Sequence, residues 1–232
     1  MSDLIDTTEM YLRTILELEE EEITALRARI AERLGHSGPT VSQTIARMER
    51  DGLVVVTTDR HLELTARGRE VATGVMRKHR LAERLLADVI GLDWEYVHDE
   101  ACRWEHVMSE RVEQRLYKLL GQPSVSPYGN PIPGLEALGG PALAEISVGV
   151  QNLDSALIDG NVGPVLVERL AETIQVDPEL LVQLDEGGIR PGALVTLERA
   201  DDYVLVRVQG IEGALELPVE VSAHVFVRRL DR

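Results

Sequence analysis

Residues 26–64 read LRARIAERLGHSGPTVSQTIARMERDGLVVVTTDRHLEL. The spacing predicts a helix from Leu26 to Leu34, a short turn at Gly35-His-Ser-Gly38, and a second helix from Pro39 to Asp51 whose Val41, Ile45 and Met48 share one face. Pro39 suits the first turn of that helix, where the missing N–H would have no intrahelical partner, and Ser37 is placed to cap it. Leu53-Val-Val-Val56, Thr57-Thr-Asp-Arg60 and His61-Leu-Glu-Leu64 then read as strand, turn and strand. Two helices that meet at a glycine-containing turn and are followed by a hairpin have the order of a winged helix-turn-helix.

Outward from this stretch, Asp6-Thr-Thr-Glu9 is a capping-box pattern that opens a first helix. Met10, Leu12, Ile15 and Leu16 carry it into the acidic run Glu19 to Glu22, which reads as a solvated helix end. From Arg67 to Leu120 the pattern is helical almost throughout, interrupted near Gly91-Leu-Asp93, so two or three long helices are expected. Between Gly121 and Gly140 stand Pro123, Pro127, Pro131 and Pro133 with several glycines, the composition of an extended linker rather than of packed structure. Alternating runs follow at Ala193 to Leu197, Tyr203 to Val208 and Val225 to Val227, with one helix near Pro178 to Leu184, which suggests a small β-barrel. The reading is an α+β multidomain chain, divided into residues 1–73, 74–140 and 141–232, with no internal repeat.

Composition narrows the function classes. Hydrophobic residues make up 44% of the 232, enough for real cores, yet aromatics are only 3%, so those cores rest on aliphatic side chains and base-stacking surfaces for single strands are disfavoured. No stretch approaches the roughly 20 apolar residues of a membrane helix, and the N-terminal residues lack the basic and apolar regions of a signal peptide, so a cytoplasmic, membrane-free protein is expected. Cys102 is the single cysteine; it has no internal disulfide partner and its thiol is available for metal or redox chemistry. The net charge is −16, which disfavours nucleic acid at first sight. It is unevenly spread: residues 27–80 hold 11 Lys and Arg against 6 Asp and Glu, whereas residues 151–232 hold 7 against 15. Only the first segment could meet a phosphate backbone.

The middle of the chain holds the most telling residues. His79 and Glu83 stand one helical turn apart, and His98, Cys102, Glu105 and His106 fall at i, i+4, i+7 and i+8, one stripe of a single helix. Taken singly, each has an ordinary reading: a surface or satisfied histidine, a solvated glutamate, a small buried thiol. Together they place imidazole, carboxylate and thiol where a core helix would be apolar, and these are transition-metal ligands that are costly to bury unpaired. The spacing supports up to two metal sites.

Several segments resemble a known family. Leu4-Ile-Asp-Thr-Thr-Glu-Met-Tyr-Leu-Arg13, Leu26 to Arg33, Ser37-Gly-Pro-Thr-Val-Ser-Gln43, Met76-Arg-Lys-His-Arg-Leu-Ala-Glu-Arg84 and His98-Asp-Glu-Ala-Cys-Arg-Trp-Glu-His-Val-Met108 are similar to the diphtheria toxin repressor family, in particular its iron-dependent regulators. The likeness covers about residues 1–140, including Gly129-Asn-Pro-Ile-Pro-Gly134, and is weaker beyond. It implies an N-terminal winged helix-turn-helix, an all-α dimerisation domain, a C-terminal SH3-like β-barrel, and a metal-activated repressor, not an enzyme, that binds double-stranded palindromic operators of iron-homeostasis genes as a homodimer.

By the same resemblance, an activating site takes Met10, Cys102, Glu105 and His106, and a second site takes His79, Glu83 and His98 with two ligands from the C-terminal domain. Glu172-Thr-Ile-Gln175 has the spacing of those two, with Glu168 as the substitute. Alone, a methionine near a helix start is usually core filler; the family match is what makes Met10 a ligand. Thioether and thiolate in one site bias it toward softer ions, hence Fe²⁺, with Co²⁺, Ni²⁺, Mn²⁺ or Zn²⁺ as substitutes in vitro. Ser37, Pro39, Thr40, Ser42 and Gln43 carry little charge, so base reading is sparse, with Gln43 on a base edge and Pro39 on thymine methyls. Specificity then leans on DNA shape. Arg27, Arg50 and Arg60, with Thr7, Thr40 and Ser42, fit the family's phosphate contacts, against an ordinary reading as solvated surface. The rivals are a Mn²⁺- or Zn²⁺-responsive regulator of the same fold and a metalloenzyme, which would leave the winged helix unexplained. SH3-like barrels also hold polyproline segments, so the Pro-rich linker is a second reading for the C-terminal domain.

Overall fold

In a computed structural model, residues 6–142, 149–158 and 163–230 are described. They fall into two compact units, one of residues up to 82, 101–122 and 133–142, the other of residues 83–100, 123–132 and those from 149 onward.

In the first unit, helix α1 (Thr7–Glu20) opens on Asp6, whose Oδ1 accepts from the amides of Thr8 at 2.8 Å and Glu9 at 3.2 Å. Helix α2 (Arg27–Leu34) stops at Gly35, which takes the left-handed conformation at φ +62°. Helix α3 (Gly38–Arg50) starts with Ser37 Oγ accepting from the Thr40 amide at 3.3 Å and carries Pro39 in its first turn. Its Val41, Ile45 and Met48 are fully buried against Tyr11, Leu12 and Ile15 of α1, Ile30 of α2 and Leu53, Val54 and Leu62 of the hairpin. Each such aliphatic side chain contributes about 1.5–3 kcal/mol on burial, and this shared core is what fixes α3 against α1. Strands β1 (Val54–Val56) and β2 (Leu62–Leu64) pair antiparallel, Val55 opposite Glu63. Between them the turn is closed by Thr57, whose amide donates to His61 O at 2.9 Å and whose Oγ1 accepts from the His61 amide at 2.9 Å. This is the winged helix-turn-helix expected from residues 26–64.

Helix α4 (Ala66–Leu85) follows, and at Gly68 a Cβ would stand 1.9 Å from Leu53 O, so only glycine allows the helix to start so close to the hairpin. A π-helical turn at Leu86–Ile90 ends on Gly91 at φ +73°; α5 (Trp94–Trp104) and α6 (Glu110–Leu119) complete the helical middle.

Two sequence expectations are corrected. The acidic run after α1 is not merely solvated. Glu19 pairs with Arg69 at 2.8 Å, Glu20 with Arg80 at 2.5 Å and Glu21 with Arg33 at 2.8 Å, so arginines of α2 and α4 take three of its four carboxylates and Glu22 is exposed. Nor is the stretch from Gly121 to Gly140 an open spacer. In the second unit Val125 and Pro131 face each other in an antiparallel bridge, and Tyr128, Asn130 and Ile132 are buried. Tyr128 donates its hydroxyl to Trp94 O at 2.7 Å and Asn130 Nδ2 donates to Leu170 O at 2.7 Å. In the first unit Leu135–Leu138 is a buried-sided 3-10 turn. The prolines shape turns here; the burial comes from the residues between them.

The rest of the second unit holds β3 (Val150–Asn152), α7 (Leu153–Ile158), β4 (Val165–Leu170), α8 (Glu172–Gln175), α9 (Pro178–Glu186), β5 (Leu194–Arg199), β6 (Tyr203–Val208), β7 (Leu215–Pro218), α10 (Val219–Ser222) and β8 (Val225–Arg229). Six strands form one antiparallel sheet in the order β3-β8-β4-β5-β6-β7, with a bulge where β4 passes Arg169. Val165, Val167, Val195, Leu197, Val204, Val206 and Val227 form its buried face. Among the described residues the edge strands β3 and β7 do not pair with each other.

Candidate metal centres

The last turn of α5 and the residues after it carry Cys102, Glu105 and His106, and the helix ends at Trp104, earlier than a single four-residue stripe requires. Glu105 keeps the helical path, its amide donating to Ala101 O at 3.1 Å. Within the first unit these residues meet α1 and α4. Glu105 Oε2 lies 2.6 Å from Arg13 Nη1 and 2.7 Å from His79 Nδ1. Arg13 Nη1 also lies 3.0 Å from His79 Nδ1 and 3.3 Å from Cys102 Sγ. Glu105 Oε1 is 3.2 Å from His106 Nε2, and His106 Nδ1 is 2.7 Å from Glu9 Oε2. Arg13 is 8% exposed, Glu105 1% and His79 0%. Burial pushes the Glu105 carboxyl up, but the Arg13 guanidinium, with His79 and His106, outweighs it and holds the group below its ordinary value.

A buried carboxylate, a thiol sulfur and an imidazole thus converge on one cationic nitrogen. The chemistry of that donor set suits a divalent transition metal, for which the guanidinium is the stand-in cation. Met10 is half-buried on α1 and packs against the apolar core of the same unit. His79, which the resemblance gives to the second site, touches Glu105 of the activating set, a contact the sequence did not foretell.

Within the second unit, polar side chains gather around His98 of α5. Its Nδ1 lies 3.0 Å from Gln175 Oε1, 3.3 Å from Glu172 Oε2 and 3.4 Å from Glu83 Oε1. All four side chains are buried. Ala171 ends the path of β4 and turns the chain into α8, which carries Glu172 and Gln175 one turn apart on one side; Gln175 is fixed by donating its Nε2 to Leu170 O at 2.9 Å. One ring nitrogen facing three oxygens, two of them carboxylate, is an oxygen-rich lining that fits a divalent cation. Glu168, the substitute for Glu172, pairs instead with Arg228 at 2.6 Å and stays out of this cluster.

On the DNA-facing candidates, Thr7, Ser37, Pro39, Thr40, Ser42, Gln43, Arg50 and Arg60 are exposed and Arg27 is half-buried. Arg60 sits in the wing turn at φ +70°. Sequence reasoning missed Arg13 and Glu9. Their signal was present: Glu9, Arg13 and Glu17 recur every fourth residue on α1, beside Met10.

A winged helix-turn-helix joined to buried clusters of His, Cys and Glu defines a metal-dependent DNA-binding regulator. Residues 3–62 match the family described as iron dependent repressor, N-terminal DNA binding domain, and residues 65–134 match iron dependent repressor, metal binding and dimerisation domain. The chain belongs to the iron-dependent, or diphtheria toxin, repressor family. It is 56% identical to the iron-dependent repressor IdeR of Mycobacterium leprae (strain TN), over 99% of this chain and 100% of that protein. With the diphtheria toxin repressor of Corynebacterium diphtheriae it shares 56% identity over 97% of this chain and 98% of that one. The crystal structure of T. acidophilum IdeR superposes with a TM-score of 0.76 at 28% identity, covering 97% of this chain and 98% of that one. A manganese-dependent transcriptional repressor in complex with manganese gives a TM-score of 0.82 at 26% identity, covering 97% and 100%. The protein is a metal-dependent transcriptional repressor, not an enzyme, acting on a DNA operator as a homodimer. No helix among the described residues is long and apolar enough to cross a membrane.

Proposed function

We propose that the ion is Fe²⁺ and that it converts this cytoplasmic protein into an operator-binding dimer repressing iron-homeostasis genes. The observation that carries the reading is the convergence of half-buried Cys102 and buried Glu105 on the Arg13 guanidinium of α1. Met10, Cys102, Glu105 and His106 would hold the activating ion; the thiol and thioether favour a softer or borderline ion over Mn²⁺. Glu83, His98, Glu172 and Gln175 would hold the second, with His79 assigned to them by the family resemblance. The relatives named for iron support Fe²⁺, whereas the manganese-bound neighbour favours the alternative, a Mn²⁺-responsive regulator.

The division of labour is residues 1–73 for DNA, 74–140 for dimerisation and metal, and 141–232 for the SH3-like domain. Bound metal supplies a strong charge that gathers anionic and neutral donors into one geometry. This chain's residues do the rest. Met10 lies on α1, which shares its core with α2 and α3, while Cys102, Glu105 and His106 lie at the end of α5. Fixing α1 to α5 favours one orientation of α3, provided the ligand set is complete only there. Exposed Ser37, Pro39, Thr40, Ser42 and Gln43 then face the major groove, and Thr7, Arg27, Arg50 and Arg60 hold phosphates. Exposed Val89, Ile90 and Tyr96, within the dimerisation match, suit a subunit interface.

The test is anaerobic loading of metal-stripped protein with Fe²⁺, Mn²⁺ and Zn²⁺ in turn, read by metal content and operator affinity. Fe²⁺ should activate at the lowest free concentration. Cys102→Ser should abolish activation and remove one bound ion, and His98→Ala should remove the other. Activation by Mn²⁺ at lower free concentration than Fe²⁺, or full activation of Cys102→Ser, would overturn the reading.

A further inference from the structure

Among the described residues, the Arg13 guanidinium stands at the heart of the activating cluster. Its Nη1 stands 2.6 Å from Glu105, 3.0 Å from His79 and 3.3 Å from Cys102 Sγ, while its Nε stands 2.9 Å from Glu17 Oε1 on the next turn of α1. Glu17 in turn lies 3.5 Å from Arg33 Nη1 of α2, and Arg33 Nη2 lies 2.8 Å from Glu21. A continuous line of alternating charge therefore runs from Glu105 through Arg13 and Glu17 to Arg33 on α2, the first helix of the helix-turn-helix, and back to Glu21 at the end of α1.

We propose that Arg13 is the resident cation of the activating centre, and that divalent metal enters by exchanging with it, displacing the guanidinium from Glu105, Cys102 and His79 toward Glu17. This rests on the assignment of Cys102 and Glu105 to a metal. Three observations carry it. An ion bonded to a thiolate and a carboxylate needs donor distances of about 2.0–2.3 Å, and Nη1 already fills the space between those same atoms, so guanidinium and ion exclude each other sterically and by like charge. A carboxylate as buried as Glu105 needs a positive partner, which Arg13 supplies in the metal-free fold. The guanidinium is also already held by a second carboxylate, Glu17 at 2.9 Å from Nε on the next turn of α1, and stays paired there when Nη1 leaves Glu105. Arg13 thereby sets how much ion is needed to activate, and Glu17, shared with Arg33, carries the exchange to α2.

The experiment is a titration of the full-length, metal-stripped protein with Co²⁺, following the thiolate-to-cobalt charge-transfer absorption that only a Cys102-bound ion gives, for wild type, Arg13→Gln, Arg13→Lys and Glu17→Gln. Removing the competing cation in Arg13→Gln should tighten Co²⁺ binding about tenfold, in line with the usual strength of a charged hydrogen-bonded contact. Arg13→Lys, which keeps the charge, should stay near wild type. Glu17→Gln should weaken binding several-fold, because the guanidinium then has no carboxylate on α1 to hold it once Nη1 leaves Glu105. Should Arg13→Gln fail to fold without metal, Glu17→Gln decides alone. Unchanged or weaker binding by Arg13→Gln, or unchanged or tighter binding by Glu17→Gln, would overturn the exchange while leaving the centre in place. A wild type that binds Co²⁺ with no thiolate absorption would overturn the centre, and the exchange with it.

Discussion

Gly129 shows how one residue holds the second unit together. It sits at φ +84°, and a Cβ there would meet Glu168 O at 2.0 Å, in the segment where Tyr128 and Asn130 reach Trp94 and Leu170. Gly129→Ala should cost about 1–3 kcal/mol for the backbone conformation alone, and more from the overlap. Chemical denaturation of the metal-free protein checks this; an unchanged midpoint would mean that the segment does not pack as described. At this scale the sequence was legible where a residue's chemistry is rare in its setting. His98, Cys102, Glu105 and His106 stood out because their types are out of place on a core stripe. Arg13 did not, since an arginine four residues before a glutamate on a helix reads as a surface pair, and only burial distinguishes it. Glu9 was hidden in the capping pattern that opens α1.

Among the elements, α3 exposes both Gln43 and Arg50, to which the proposed function gives two kinds of DNA contact, base reading for Gln43 and a phosphate for Arg50. Gln43→Ala should lose about 1–3 kcal/mol on the cognate operator and relax the preference at one base pair, whereas Arg50→Ala should weaken all duplexes alike and lower the salt slope by about one. Anisotropy titrations over several salt concentrations and operator variants read both; a Gln43→Ala that weakens every duplex equally would remove it from base reading. The helices and hairpin of the winged domain were readable to within a residue or two, because apolar positions repeat at the helical period, caps mark the starts and the hairpin is short. The stretch from Gly121 to Gly140 was misread for a physical reason: proline and glycine report where a chain turns, not whether Tyr128, Asn130 and Ile132 between them find a place in a core. Likewise α5 stops at Trp104 although the ligand spacing continues in helical register to His106.

Over the whole molecule, a chain of net charge −16 binds DNA because its positive residues are gathered in 27–80 while residues 151–232 carry the excess acid. That arrangement makes unassisted affinity for duplexes low and leaves the gain to the metal. On the proposed function, an ion held by Met10 on α1 and by Cys102, Glu105 and His106 at the end of α5 would favour the DNA-competent arrangement. Met10→Ala should therefore lower metal-dependent operator affinity by roughly 5- to 150-fold, with metal-free stability close to wild type. The most direct test is an anaerobic anisotropy titration of wild type and Met10→Ala with a palindromic operator duplex, with Fe²⁺ and then with chelator. The account predicts wild-type affinity of about 10⁻⁸ M or tighter with Fe²⁺, falling to the nonspecific range of about 10⁻⁴–10⁻⁶ M with chelator, and a much smaller gain for Met10→Ala. Operator binding indifferent to chelator, or a Met10→Ala protein with the full gain, would contradict it.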